Sequence, residues 1–135
     1  MANLVRFAVS LDRKLFNKFE EYWKSKGYIS RSEAIRDLIR DALIEDIREK
    51  NKIVFGSITL IYNHHEKGLG DLLTDIQHKY LHTIISSMHV HIDVHHCLEV
   101  IAVKGKYNEV KELADKLLTV KGVKHGKLVV TAITP

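Results

Sequence analysis

The 135-residue chain contains one proline, Pro135, so no interior proline marks a turn or breaks an element. Boundaries must be read from glycine, capping residues and changes of hydrophobic period. Its one cysteine, Cys97, excludes an internal disulfide; a lone thiol is a free thiol, a core residue or a ligand. No apolar run approaches the roughly 20 residues of a membrane-spanning helix. The N-terminus lacks the apolar stretch of a signal peptide. The expectation is a cytoplasmic protein without membrane association. Neither sign of charge dominates: 21 Lys and Arg against 17 Asp and Glu give a net charge of +4. That balance is compatible with nucleic acid without demanding it. Hydrophobic residues at 45% and charged residues at 28% exclude a disordered chain.

Two patterns occupy the chain, meeting near the charged stretch "REKNK" at 48–52. We read residues 1–50 as one domain and 51–135 as another. The first opens with "VRFAVSL", in which Val5, Phe7 and Val9 alternate with Arg6, Ala8 and Ser10. This period predicts a strand with one buried face. Asp12 is placed to cap a helix whose apolar residues are Leu15, Phe16, Phe19, Tyr22 and Trp23. Gly27 suits the C-terminus of that helix. Ser30 and Glu33 have capping-box spacing, predicting a second helix with the stripe Ile35, Leu38, Ile39, Ala42, Leu43 and Ile47. About 50 residues is marginal for an independent core, and a lone strand leaves its backbone groups unpaired. Pairing the strands of two copies solves both problems, so this half predicts an obligate dimer.

The second half reads β-α-β-β-α-β: "IVFGSITLIYN", "GDLLTDIQHKYLHTI", "SSMHVHIDV", "CLEVIAVKG", "NEVKELADKLLTVKG" and "KLVVTAIT". This order predicts an α+β layer, an antiparallel sheet with both helices on one face and the other face left open.

Four of the nine histidines and the cysteine fall in "MHVHIDVHHC", residues 88–97. Residues two apart on a strand share a face. Met88, Val90, Ile92 and Val94 form an apolar set suited to a core; His89, His91, Asp93 and His95 form the other. His89 and His91 are near enough to serve one ion, and Cys97 opens the neighbouring strand, roughly 4.8 Å away. Imidazoles with a thiolate favour a borderline or soft transition metal over magnesium or calcium. Glu99 shares the face of Cys97 and suits an acceptor for an imidazole N–H; it suits a solvated sheet position equally. His64, His65, His82, His95, His96 and His125 read as loop, turn or surface residues. His78 lies on the side of its helix opposite the stripe Leu69, Leu72, Leu73, Ile76 and Tyr80. With the histidine pair on the sheet face left open by the helices, His78 reaches such a site only from a second chain. A metal site at a subunit interface is therefore expected.

These features together resemble the nickel-responsive transcriptional regulators of the NikR family over essentially the whole chain. The resemblance rests on the strand-helix-helix start, "RSEAIRDLIRDAL" at 31–43, "QH" at 77–78, "HVHIDVHHCLEV" at 89–100 and "KGVKHGKL" at 121–128. It implies a ribbon-helix-helix DNA-binding domain joined to an ACT-like, ferredoxin-like βαββαβ metal-binding domain, assembled as a homotetramer, a dimer of dimers. It implies square-planar Ni(2+) bound by His89, His91 and Cys97 of one chain and His78 of another. It implies that Arg6, Ala8 and Ser10 read double-stranded operator DNA, with Arg36 a phosphate contact. The same trio would suit a solvated strand edge. Ala8 departs from the polar residue frequent at that position in the family. The resemblance also implies a second cation site, with potassium as occupant, from the carboxylates of Glu33 and Asp37 and the carbonyls of Leu118, Val120 and Val123. A capping Glu and a surface Asp are the ordinary alternative. The expected activity is nickel-dependent repression of nickel-uptake genes, without catalysis. Two other readings stay open: a metalloenzyme, which would need an open coordination position and a base, and an ACT-type repressor of a small organic ligand.

Overall fold

A computed structural model describes residues 3–135 of the chain. It comprises two compact units, one running to Asp41 and the other Ala42–Pro135.

The first unit contains α1 (Arg13–Ser25) and most of α2 (Arg31–Glu49). Asp12 caps α1, its carboxylate accepting the Leu15 N–H at 2.9 Å. Gly27 takes φ of 81°, letting the chain leave α1 in the left-handed region. Ser30 Oγ accepts the Glu33 N–H at 3.2 Å and opens α2. The strand expected at the N-terminus is not present in the single chain: residues 3–11 form neither helix nor strand. A β-ladder needs a partner for its N–H and C=O groups, and one chain offers none. Leu4, Val5, Phe7 and Val9 are exposed. With Phe16, Phe19, Ile35 and Ile39, Val5, Phe7 and Val9 line an open groove of about 1020 Å³. The alternating apolar face is thus left uncovered in the single chain.

The second unit contains β1 (Ile53–Asn63), α3 (Leu69–His78), β2 (Ile84–His91), β3 (His96–Lys106), α4 (Tyr107–Leu118) and β4 (Val123–Thr131). The sheet is antiparallel in the order β2-β3-β1-β4, so the histidine strand β2 is an edge. Val54, Ile58, Leu60 and Tyr62 of β1 and Cys97, Glu99, Ile101 and Val103 of β3 point to one face and are buried. Leu69 and Leu73 of α3 and Val110, Leu113, Ala114 and Leu117 of α4 close over that face. Each fully buried aliphatic side chain contributes roughly 1.5–3 kcal/mol relative to exposure. The last turns of α2 join this unit: Ile47 packs on its core, and Arg48 donates to the Tyr107 hydroxyl at 3.0 Å.

Two sequence expectations change here. α3 stops at His78 instead of continuing toward Ile84, because residues 79–83 form turns that deliver Tyr80 and Thr83 to the interior. Leu72, assigned to the buried stripe, is 47% exposed.

Candidate metal centre

The β2–β3 register sets His89 opposite Glu99 and His91 opposite Cys97. Directly opposed residues share a face. The imidazoles of β2 therefore stand on the side the helices cover, at the edge of the core layer. This corrects the sequence reading, which put the apolar set of β2 in the core and the histidines on the open face. Met88 and Val90 instead pair with Val100 and Leu98 on the open face, and Met88 is 55% exposed. The error has a physical source. Cys97 and Glu99 occupy buried positions that an apolar pattern would have assigned to the core, and the face of β2 follows theirs.

His89 Nδ1 lies 3.9 Å from Cys97 Sγ and 3.5 Å from the Tyr62 hydroxyl. Its Nε2 lies 3.1 Å from Glu99 Oε2, within hydrogen-bond distance. Gln77, at the end of α3, donates to the same carboxylate oxygen at 3.1 Å. Burial, with the charges of Glu99 and Cys97 adding to it, pushes the Tyr62 phenol well above its ordinary pKa. The sequence reading missed Tyr62 and passed over Gln77. Tyr62 enters through the β1–β3 register, which sets it beside Cys97 and leaves no local signature in the sequence.

The turn between β2 and β3 is organised by Asp93. Its Oδ1 accepts the N–H groups of His95 at 2.8 Å and His96 at 2.7 Å. The His96 ring adds a bond from Nδ1. That bond first, then the two amides, hold Asp93 down to a pKa of about 2. The β1–α3 loop supplies two more imidazoles: Nε2 of His64 and of His65 each lie 3.0 Å from the Val94 carbonyl oxygen. The His64 ring stands edge-on to His91 with centroids 5.0 Å apart.

Cys97 and Glu99 are buried, whereas His89, His91 and His78 are exposed. Among the described residues of one chain, no three His, Cys, Asp or Glu side chains gather closely enough to hold a metal ion. The donor chemistry nevertheless suits a borderline metal: a thiol, two imidazoles, and a carboxylate that engages the outer nitrogen of one of them.

In the first unit, Arg6, Ala8, Ser10 and Arg36 are all exposed, and Arg6, Ser10 and Arg36 line the open groove. Asp37 accepts the Tyr28 hydroxyl at 2.8 Å, and the Glu33 amide serves the Ser30 cap. In the second unit, Leu118, Val120 and Val123 pack at the edge of the core, and the Val120 carbonyl accepts the Val123 N–H at 3.1 Å. Among the described residues no helix is long and apolar enough to cross a membrane.

Residues 55–131 match the NikR C terminal nickel binding domain, and residues 5–46 match the ribbon-helix-helix protein, copG family. The chain is 52% identical to a "Putative nickel-responsive regulator" of Pelobacter propionicus, over 98% of this chain and 96% of that protein. Proteins of the same description from Pyrococcus horikoshii and Thermococcus kodakarensis are 55% and 54% identical. These matches cover 96% and 95% of this chain and 94% of each relative. Among solved structures, an uncharacterized protein of Thermotoga maritima, TM1266, superposes with a TM-score of 0.53 at 18% identity. It covers 58% of this chain and 98% of its own, a likeness of fold alone.

Proposed function

Since the chain belongs to the NikR family of nickel-responsive, ribbon-helix-helix regulators, we propose that it is a nickel-dependent repressor of nickel-uptake genes. In this reading Cys97, His89 and His91 of one chain and His78 of a neighbour hold Ni(2+). Glu99 holds the outer nitrogen of His89. The observation that carries the reading is the hairpin itself: a buried thiol within 3.9 Å of one imidazole and directly opposite a second in register. His78 supports an intersubunit site because it is exposed at the end of α3, where a neighbouring chain has access to it.

The residues divide at about position 50 into a DNA-binding and a metal-binding domain, and the working assembly is a cytoplasmic homotetramer. In each DNA-binding dimer, residues 3–11 of two chains pair into a ribbon that enters the major groove of a palindromic operator. Arg6 contacts guanine in bidentate fashion, Ser10 bonds a base edge, and Ala8 packs on a thymine methyl. Arg36 and the start of α2 face phosphate. Potassium is the proposed occupant of a second cation site to which Glu33 and Asp37 would contribute carboxylates. Nickel supplies the free-energy difference between arrangements of the DNA-binding dimers, a shift of populations that needs contacts present in one arrangement and not the other. Operator binding measured with and without nickel tests the reading. Tight operator binding only with nickel is expected; equal binding in the two conditions would refute it.

A further inference from the structure

The end of α2 meets the start of α4, and the chain between them serves both helices. α2 closes in a Schellman turn. The Lys52 N–H donates to the Ile47 carbonyl and the Asn51 N–H to the Arg48 carbonyl, each at 3.0 Å. Asn51 takes the left-handed conformation this turn requires, with φ of 51°. Among the described residues it is the only one other than glycine with positive φ.

α4 begins at Tyr107, and the residue at its cap, Lys106, makes no side-chain bond to it. The first amides of a helix have no partner within it. Two of them are met from the end of α2. The Lys52 carbonyl accepts the Tyr107 N–H at 3.1 Å, and Asn51 Oδ1 accepts the Asn108 N–H at 2.8 Å. The backbone of Asn51 therefore ends one helix while its side chain opens the other. Arg48 adds a second tie. It donates to the Tyr107 hydroxyl at 3.0 Å, and its guanidinium carbon stands 4.9 Å from the centroid of that ring. Its other arm meets Glu45 at 3.1 Å. α4 itself is fixed to the sheet by Val110, Leu113, Ala114 and Leu117, and Ile47 of α2 packs on the same core.

Residues 48–52 have the charged composition of a free tether, but these contacts remove a tether's freedom. α2 runs unbroken from Arg31 to Glu49, so the chain leaves the second unit as a helix with a pinned base.

We propose that Arg48 and Asn51 are positioning residues for regulation: the joint they make with α4 ties α2 to the state of the second unit, and nickel raises operator affinity through it. The inference rests on the nickel-dependent operator binding proposed above. With the joint loosened, the second unit still binds nickel, but the contacts that nickel changes there no longer bias α2.

The test uses the full chain. Asn51→Gly keeps the positive φ and removes only the capping oxygen. Asn51→Asp keeps an acceptor beside a helix N-terminus, where a carboxylate is favoured. Backbone hydrogen exchange without metal is the first readout. In Asn51→Gly the Asn108 amide should exchange about 2–10-fold faster, the worth of one hydrogen bond, and Asn51→Asp should exchange at the wild-type rate. Nickel affinity should be the same in every variant. The ratio of operator affinity with nickel to that without should shrink about fivefold or more in Arg48→Met/Asn51→Gly, the lower end of allosteric couplings, and stay at the wild-type value in Asn51→Asp. Should the double variant fail to fold, Tyr107→Phe decides, since it removes one oxygen and keeps the ring; the ratio should fall there too. A wild-type Asn108 amide that exchanges as fast as that of Asn51→Gly would overturn the proposal, as would a loosened joint with an unchanged ratio. Operator affinity that falls when the joint is loosened, in a protein whose wild type ignores nickel, would support the positioning and overturn the nickel reading.

Discussion

His91 and Cys97 face each other across the β2–β3 ladder, and His89 and Glu99 form the next opposed pair on the same face. The thiol is buried while the imidazoles are exposed. As the proposed ligands, they would offer an arriving ion accessible nitrogens and a sulfur already positioned by the core.

Cys97→Ala should abolish the thiolate-to-metal charge-transfer band of the nickel-loaded protein and weaken nickel binding. Because Cys97 packs in the core at 2% exposure, the substitution also deletes buried volume, and a thermal melt should show a modest loss of stability. Absorption spectroscopy with nickel titration checks the first effect; a band that survives would remove Cys97 from the ligand set.

Arg6→Ala should relax discrimination between operator and random DNA by about 1–3 kcal/mol at one position per half-site. Nickel affinity should not change, since Arg6 lies in the first unit and the hairpin in the second. Binding assays against both DNAs at one salt concentration measure it. Undiminished discrimination would take residues 3–11 out of base recognition.

Whether His78 serves a neighbouring chain can be read by complementation. His78→Ala and His89→Ala should each lose tight nickel binding as pure proteins. Tetramers refolded from an equal mixture should regain some sites, because a chain lacking His89 still offers His78 to one that keeps the other three ligands. No recovery after confirmed subunit exchange would mean that a single chain supplies all four.

The Tyr28 hydroxyl bonds Asp37 Oδ2 at 2.8 Å, and that bond, with some burial, pushes the phenol up to about 12. A raised folded pKa means the native state holds this proton more tightly than the unfolded chain does. The stabilisation is therefore complete below the ordinary phenol value of 10.0 and is lost as pH rises from there through about 12. Ultraviolet titration of the five tyrosines should show Tyr28 titrating late, as Tyr62 does, and Tyr28→Phe should remove its share of the late signal. A Tyr28 that titrates with the others would mean that the bond to Asp37 is not kept in solution.

Gly126 on β4 has no space for a side chain. A Cβ there would stand 2.7 Å from the Thr59 carbonyl oxygen and would press on the Leu118 side chain. Gly126→Ala should destabilise the second unit by about 1–3 kcal/mol through overpacking. Chemical denaturation followed by circular dichroism would detect it, and an unchanged midpoint would contradict the packing described.

Much of this architecture was legible in local pattern. Asp12, Gly27 and the Ser30–Glu33 spacing announce helix ends through chemistry confined to a few residues, and the structure uses each as read. The order of strands and helices in the second unit followed from the switching of hydrophobic period. What local pattern misjudged was the face of β2. An edge strand exposes both its faces to some degree, so alternation there carries little information about burial. Cys97 and Glu99 lie on the inner strand, and their burial decides the matter through the ladder register. Tyr62 and Gln77 were hidden for a related reason: one enters through pairing with a strand more than thirty residues away, the other through the end of a helix. The strand expected at residues 5–11 is a third kind of case, because a single chain offers its backbone groups no partner.

The strand order carries one further consequence, for the speed of exchange. β2 is tied into the sheet along only one of its sides, while β3 is tied along both. The imidazole half of the hairpin can fray from the sheet by breaking a single ladder, without opening the layer that encloses the thiol. In the proposed site, loss of an ion would have a route through the peeling of this one strand, with the sulfur left in place for the next. The lifetime of an ion there would follow the edge of the sheet more than the stability of the fold, and a covalent clasp or a neighbouring chain across β2 would lengthen it.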